Sequence, residues 1–552
     1  MPDVSNRSVS PQHTPDRSDL ASNPLSWPLG LVTDGLANRL MAALVVYAAI
    51  RSVFLAASKP FWYDEVCTFL VARLPSVTTI WRALNQAIDG NPPLYYLVER
   101  VASRLVSNEQ IAFRIPSVLG FCCALVCVFL FVRKRSGPKI ALICATVMLI
   151  TVLYTTYAAE ARPYSLVLAF VAIGLLCYQH APSKPWMLLM GFSLAVAPAL
   201  HYYAIFALVP FFLAEALLVL RTRRLRVAVW LALACSPLPF CVFWPLLMKL
   251  KDVLGAHFWA VATLPTVFAT YGVLFNTTAR LGVAVVAVSA IGLLALTADL
   301  LQLERDDRIA STLFSEYVLV LGVLGLPFVV FVAARVTHGG MSTKYGFTAV
   351  LGIPLAMGFV LPRLGRKTVA LVSVFIFVVL AVQEATFWPS RHSPSSNGAA
   401  SALHLENFIE SAGYMDLPVV IPSDADYLQI EHYSSPEWRK RLFACVDPAE
   451  SVAYIGYDSA DTQWLVLRIF LPLQVYDFKA FVSGHPRFLL YSGGGTQSDW
   501  WPVWLNREGY LLQIVNAEGK QRVYLVSAQR LESASRVGSP ALSPRPVPGA
   551  KE

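Results

Sequence analysis

The sequence predicts an α-helical polytopic membrane protein of about eleven transmembrane helices, followed by a small extracytoplasmic α/β domain. Three observations predict it. The 552 residues are 56% hydrophobic and only 14% charged, where a soluble globular chain carries about 25% charged residues. The apolar residues lie in long runs between residues 40 and 388 instead of being spread along the chain, and mean hydropathy is +0.55. The positive residues sit in short clusters between those runs, so the net charge of +9 suits membrane orientation better than nucleic-acid binding.

Taken in order, residues 1–36 are polar and rich in Ser, Pro and Asn, which predicts a disordered cytoplasmic tail without a cleavable signal. Residues 37–390 form the membrane unit, with Leu40 to Ala57 as an uncleaved signal-anchor. A span needs about 20 mostly apolar residues. Such runs begin near Leu40, Ile111, Ile140, Pro163, Trp186, Ala204, Val227, Leu281, Leu313, Gly346 and Thr368. Arg133-Lys134-Arg135 with Lys139, then Lys184, then the Arg221–Arg226 cluster, then Arg363 with Arg366 and Lys367 fall at alternate span ends. The positive-inside rule places them in the cytoplasm. That parity requires Trp186 to Leu220 to hold two spans turning at His201-Tyr202-Tyr203, not one long helix.

The outer segments are then a long first loop (58–110), a turn at Glu160–Pro163, the His201 turn, a loop near 249–276 and a loop at 335–345. Residues 391–400 read as a linker. Residues 401–530 alternate strand-like and helical runs, with strands at Pro418–Pro422 and Arg487–Tyr491, helices at Asp426–Ser434 and Trp500–Arg507, and a hairpin turning at Asn516–Gly519. Residues 531–552 are Ser/Pro-rich and read as a disordered tail. Seven of the nine cysteines fall in apolar runs as small core residues. Cys67 and Cys445 fall outside them on the same side of the membrane, where a disulfide is chemically open, although pairing is not readable from sequence.

The chemistry concentrates on the outer face. The first loop opens with Lys59-Pro60-Phe61-Trp62-Tyr63-Asp64-Glu65, an acid pair at the interface flanked by aromatics that prefer that depth. Adjacent carboxylates can divide roles, one taking a proton from an acceptor hydroxyl while the other holds a cation or acceptor. A solvated loop pair is the plainer reading. Asp89-Gly90-Asn91-Pro92-Pro93 precedes an aromatic helix, so Asp89 or Asn91 is a helix cap, a substrate contact, or both. Glu160-Ala161-Arg162-Pro163-Tyr164 pins an acid and a cation in a turn between spans, either as a salt bridge or as a phosphate or sugar contact. Arg335 and Lys344-Tyr345 present cations where a span begins, either snorkelling or holding an anionic phosphate. His201 reads as part of an aromatic belt. The spans carry few charges, Arg51 and Glu215 being the main exceptions, each close enough to a span end to snorkel.

WYDE after the first span, DGNPPLYY in the same loop, RIPS at Arg114–Ser117 and YAAEARPYSL at Tyr157–Leu166 resemble the GT-C-fold bacterial membrane glycosyltransferases related to aminoarabinose transferase and the protein O-mannosyltransferases. The resemblance runs over residues 40–390. It implies inverting transfer of one sugar from a polyprenyl-phosphate donor to a lipid, polysaccharide or protein acceptor outside the cytoplasm of a bacterial cell. By motif, Asp64 would be the general base and Glu65 its support, and Asp89 would orient the acceptor or a cation. Glu160 and Arg162 would line the cavity, and Lys344 would neutralise the donor phosphate. Two departures stand out. Asn91 replaces the His or Lys that relatives often carry before the paired prolines, and Lys344 replaces an Arg. A divalent metal, used by some members of the wider fold, is left open. A transporter of lipid-linked sugars and an inactive membrane scaffold are the competing readings. The first would need no base, and both would tolerate loss of Asp64.

Overall fold

The computed structural model describes residues 33–255, 257–302, 308–390, 398–422, 424–495 and 499–528. The expected tails, up to residue 32 and over 531–552, lie outside the described residues, as does most of the expected linker. The chain enters the membrane unit through Asp34–Ser58, a helix started by the Thr33 side chain, which accepts from the Leu36 N–H at 3.2 Å.

Among the described residues seven helices are long and apolar enough to cross a bilayer, or eight when Ile309–Leu324 and Leu326–Thr337, bent by 57°, count as one span. Length and apolarity therefore mark fewer than the expected eleven, for two reasons. The runs beginning at Pro163 and Trp186 form helices of 15 and 17 residues, Tyr164–Tyr178 and Lys184–Leu200, against the roughly 20 that a span needs. The runs at Ile111 and Ile140 belong to one 34-residue element, Ile115–Met148, kinked where Gly137 takes φ 77° ahead of Pro138. Between Trp186 and Leu220 the chain does break into two helices. Lys184–Leu200 ends at His201, and a short 3₁₀ turn leads into Leu208–Thr222.

The charged residues inside the spans do not snorkel. Arg51 is buried, donating to Glu384 at 2.9 Å and lying 3.7 Å from the centre of the Phe387 ring. Glu215 is buried too, paired with Arg226 and accepting from the Tyr178 hydroxyl at 2.6 Å. Glu316, which the apolar run around it hides in the sequence, pairs with Arg135. A charge in hydrocarbon is tolerated when a partner neutralises it, and the partners here come from other helices or, for Glu215, from Arg226 just ahead of helix Val227–Cys235.

The chain after the spans forms a six-stranded mixed sheet: β1 Val419–Val420, β2 Leu442–Val446, β3 Val475–Asp477, β4 Arg487–Ser492, β5 Leu511–Glu518 and β6 Gln521–Ser527. Its order is β3-β2-β1-β4-β6-β5. The first four strands run parallel and the β5–β6 hairpin closes one edge antiparallel to β4. Cys445 lies buried in β2 and Cys67 lies buried in helix Tyr63–Ala72, and neither is in a disulfide, so the pairing left open by the sequence does not form.

Candidate active site

The first loop folds into short helices because it alternates caps and apolar faces. Helix Tyr63–Ala72 starts with Trp62, whose N–H donates to Glu65 Oε2 at 3.2 Å, the backbone half of a capping box. Asp64 and Glu65 therefore occupy its first turn, where the helix dipole favours negative charge. Helix Pro93–Leu105 follows the Pro92-Pro93 pair, whose rings preset its first turn.

Successive residues on a helix point about 100° apart, and the two acids separate accordingly. Glu65 is fully buried and locked fork-to-fork with the equally buried Arg114, with Nε to Oε1 and NH2 to Oε2 both at 2.7 Å. It also accepts from the Ala161 N–H at 2.7 Å. Arg114 spends its remaining donors on the carbonyls of Ala56, Lys59 and Pro60. This pair is a structural anchor that welds the loop start to the Glu160 turn. Asp64 faces the other way, with its side chain 22% exposed. Its Oδ2 lies 3.3 Å from Lys344 Nζ and 3.6 Å from Arg162 NH2.

Arg162 reaches Asp89 as well as Asp64, its Nη1 lying 3.7 Å from Asp89 Oδ2. Asp89 in turn accepts from the Tyr96 hydroxyl at 2.6 Å and bends back to its neighbour's N–H, Gly90, also at 2.6 Å. Four of the residues singled out in the sequence thus meet at one place: Asp64, Asp89, Arg162 and Lys344. Their formal charges cancel, and Lys344 also stacks its ammonium 4.5 Å over the Trp62 ring.

The other residues fall around this cluster. Glu160 pairs with Lys59 at 2.6 Å, not with Arg162, and its second oxygen is buried without a hydrogen-bond partner. Burial raises its pKa, opposed by the Lys59 ammonium. Asn91 is buried with its Nδ2 unpartnered. His201 packs among Tyr164, Tyr345 and Tyr203 at ring separations of 5.6, 5.8 and 6.0 Å. Burial, then the Arg162 charge, pushes its pKa down to about 3, so this imidazole stays neutral at physiological pH. Tyr345 stacks on Tyr203 at 4.0 Å. Arg335 does not join the cluster. It stands exposed in the last turn of Leu326–Thr337, with no ion pair among the described residues. Among those residues no three His, Cys, Asp or Glu side chains gather as a metal-ligand set.

Three contributors were not singled out as site residues in the sequence. Arg114 appeared only within a motif, Lys59 only as a flank, and Glu99 not at all. Glu99 is fully buried on helix Pro93–Leu105 beside Tyr95, and burial raises its pKa well above the usual carboxylate value. An Arg at the start of an apolar run, with no nearby sequence partner, is the signal that betrays a buried pair.

The fold that holds this cluster can be compared with known ones. The structure superposes on the crystal structure of ArnT from Cupriavidus metallidurans in the apo state with a TM-score of 0.56, over 89% of this chain and 98% of that one, at 12% identity. This is a GT-C fold. ArnT from the same organism bound to undecaprenyl phosphate aligns at a TM-score of 0.40 and 14% identity, over 90% of this chain and 99% of that one. The Archaeoglobus fulgidus oligosaccharyltransferase in complex with Zn and sulfate aligns at 0.39 and 12% identity, over 72% and 61%. By sequence, the dolichyl-phosphate-mannose-protein mannosyltransferase family matches residues 90–248. No curated protein matches the chain by sequence. In this GT-C chain the matched segment carries Glu160 and Arg162, while Asp64 and Lys344 lie outside it.

Proposed function

We propose that this multi-pass membrane protein is a glycosyltransferase that moves one sugar from a polyprenyl-phosphate donor to an acceptor on the extracytoplasmic face, with inversion and with Asp64 as general base. The observation that carries the reading is the position of Asp64. It is a part-exposed carboxylate 3.3 Å from Lys344 and 3.6 Å from Arg162, while its neighbour Glu65 is sealed away. Such an arrangement supplies both a base and the positive charge that the leaving group needs. The acceptor oxygen attacks the anomeric carbon as its proton passes to Asp64. The bond from that carbon to the phosphate oxygen breaks, and its electron pair leaves on the polyprenyl phosphate. Lys344 exchanges its contact with Asp64 for the incoming phosphate, which frees the base as the donor binds and stabilises the charge that grows there. Lys binds as a point charge where Arg would bind with two parallel bonds. Arg162 stays behind as the link between Asp64 and Asp89, and Asp89 orients the acceptor. Asn91, Tyr164, His201 and Tyr345 line the sugar side. The membrane is a bacterial inner membrane, with the N-terminus cytoplasmic and the sheet outside.

Transfer from a panel of polyprenyl-phosphate sugars tests this in membranes carrying wild-type or Asp64→Asn protein. Wild type is expected to transfer, and the variant to lose about 10²- to 10⁴-fold in rate, the usual worth of a positioned base, with donor binding intact. Equal transfer by both proteins removes Asp64 from the mechanism. Donor binding without transfer by either points to a transporter or scaffold instead.

A further inference from the structure

The sheet-bearing domain after residue 400 grips the loop that carries the acids. Helix Asp424–Tyr433 packs against helix Tyr63–Ala72, and the backbone of Phe61 is held from both sides. Its N–H donates to the Tyr433 hydroxyl at 2.7 Å, and its carbonyl accepts from Gln429 Nε2 at 2.8 Å. Since Arg114 already binds the carbonyls of Lys59 and Pro60, each carbonyl from Lys59 to Phe61 is fixed. The membrane unit holds two of them and the outer domain the third.

A second set of bonds comes from helix Ser459–Phe470. Gln463 accepts from the Tyr63 hydroxyl at 3.0 Å and donates to the Ile88 carbonyl at 2.9 Å. Tyr63 and Ile88 are the residues immediately before Asp64 and Asp89. One amide side chain therefore bridges the two loop segments that present the acids. Arg162 also bridges those acids, at the looser distances of 3.6 and 3.7 Å.

Docking alone does not require this pattern. The domain already has an apolar seat, where His432 lies 4.9 Å from Phe69 and 5.7 Å from Phe61 between ring centres. Hydrogen bonds placed on the residues next to both acids do something a seat does not, which is to set where the carboxylates stand.

We propose that Gln463, backed by Gln429 and Tyr433, is a positioning residue, and that the outer domain serves the reaction by fixing the separation of Asp64 from Asp89. The inference rests on the glycosyltransferase reading for what the acids do, but not for whether the clamp exists. A misplacement of about 1 Å at a reacting group can cost about 100-fold in rate.

The test uses full-length protein in lipid nanodiscs, comparing wild type with Gln463→Ala, Gln463→Glu, Tyr63→Phe and the double variant Tyr63→Phe/Gln463→Ala. The expected result for Gln463→Ala is a kcat lower by about 10- to 100-fold, a donor KM within about twofold, and an unchanged Tm. The double variant is expected to be no worse than Gln463→Ala, because both lesions break one shared link. Gln463→Glu keeps the acceptor for Tyr63 but loses the donor for Ile88, so its activity recovers as pH falls and its carboxyl gains a proton. Hydrogen–deuterium exchange of residues 59–65 and 86–92, measured without donor, is expected to speed up in Gln463→Ala. Unchanged exchange with unchanged kcat overturns the clamp. So does a kcat loss that merely follows a fall in Tm, since that is what a structural contact gives. Wild-type protein that transfers no sugar overturns the glycosyltransferase reading instead, and the exchange experiment then still decides the clamp.

Discussion

Asp64 and Glu65 are neighbours in the chain, both carboxylates, and nothing in their order says which one meets the substrate. The helix decides it. With one residue per 100° of turn, Asp64 faces Lys344 and Arg162 while Glu65 faces Arg114 in the protein interior. The two positions therefore fail differently when mutated. Asp64→Asn is expected to leave Tm unchanged, because its side chain is part-exposed and its ion pairs are loose. Glu65→Gln keeps the shape but leaves the Arg114 guanidinium buried and without a counter-charge. Breaking a buried pair from one side costs about 3–5 kcal/mol. Thermal unfolding of the detergent-solubilised protein should show Glu65→Gln melting well below wild type, with its activity lost in step with folded protein. Glu65→Gln protein that melts like wild type yet transfers no sugar would move Glu65 into the chemistry.

At the scale of elements, the sequence is most readable where one periodicity holds over a long stretch. The long apolar helices and the existence of the β5–β6 hairpin follow from pattern alone, but its turn lies at Gly519-Lys520 and not at the expected Asn516–Gly519, because Asn516 to Glu518 continue the pairing with β6. The strands β2 and β3 do not. Every residue of β2, Leu442–Val446, is buried, and β3 spans only Val475–Asp477. A parallel strand covered on both faces, as β2 is, shows no alternation, and β3, an edge strand with Tyr476 and Asp477 exposed, is too short to show a period, so neither strand carries a signal. Close helix contact is equally hidden. Gly120, on Ile115–Met148, faces helix Tyr164–Tyr178, and a Cβ added there would meet the Ser165 backbone at 2.7 Å. That seam also holds the functional turn, since Ser117 Oγ donates to the Arg162 carbonyl at 3.0 Å. Gly120→Val must push the two helices apart, and Arg162 moves with them. The expected outcome is a lower Tm, overpacking costing typically 1–3 kcal/mol, together with weaker transfer from the folded fraction. A Gly120→Val protein with wild-type Tm and rate would mean that the seam has room.

For the whole molecule, the same positive clusters that orient the chain also bear on its interior. Arg135 and Arg226 come from clusters read as cytoplasmic, yet each turns inward to a buried glutamate, Glu316 and Glu215. Their charge is thus partly spent on buried partners, and the orienting weight rests on the exposed members, Lys184 and Arg223 among them. Arg51 and Glu384 tie the first span to the last in the same way. No local window of sequence reveals the Arg135–Glu316 and Arg51–Glu384 pairs, whose partners lie 181 and 333 residues apart, whereas Glu215 and Arg226 are separated by only 11. The site shares this limit. Its four charged members come from segments whose meeting depends on the packing of the entire membrane unit. If the exposed cations set the orientation, the domain that holds Phe61 with Gln429 and Tyr433, and Tyr63 and Ile88 with Gln463, must lie on the opposite side from Lys184. In protein with Cys235 and Cys241 replaced by serine, a cysteine at Glu518 in the β5–β6 hairpin is expected to react with a membrane-impermeant maleimide in spheroplasts. A cysteine at Lys184 is expected to react only after permeabilisation. The opposite labelling pattern would invert the molecule, placing Asp64 and its donor in the cytoplasm, and a donor made on that side would then need no export before transfer.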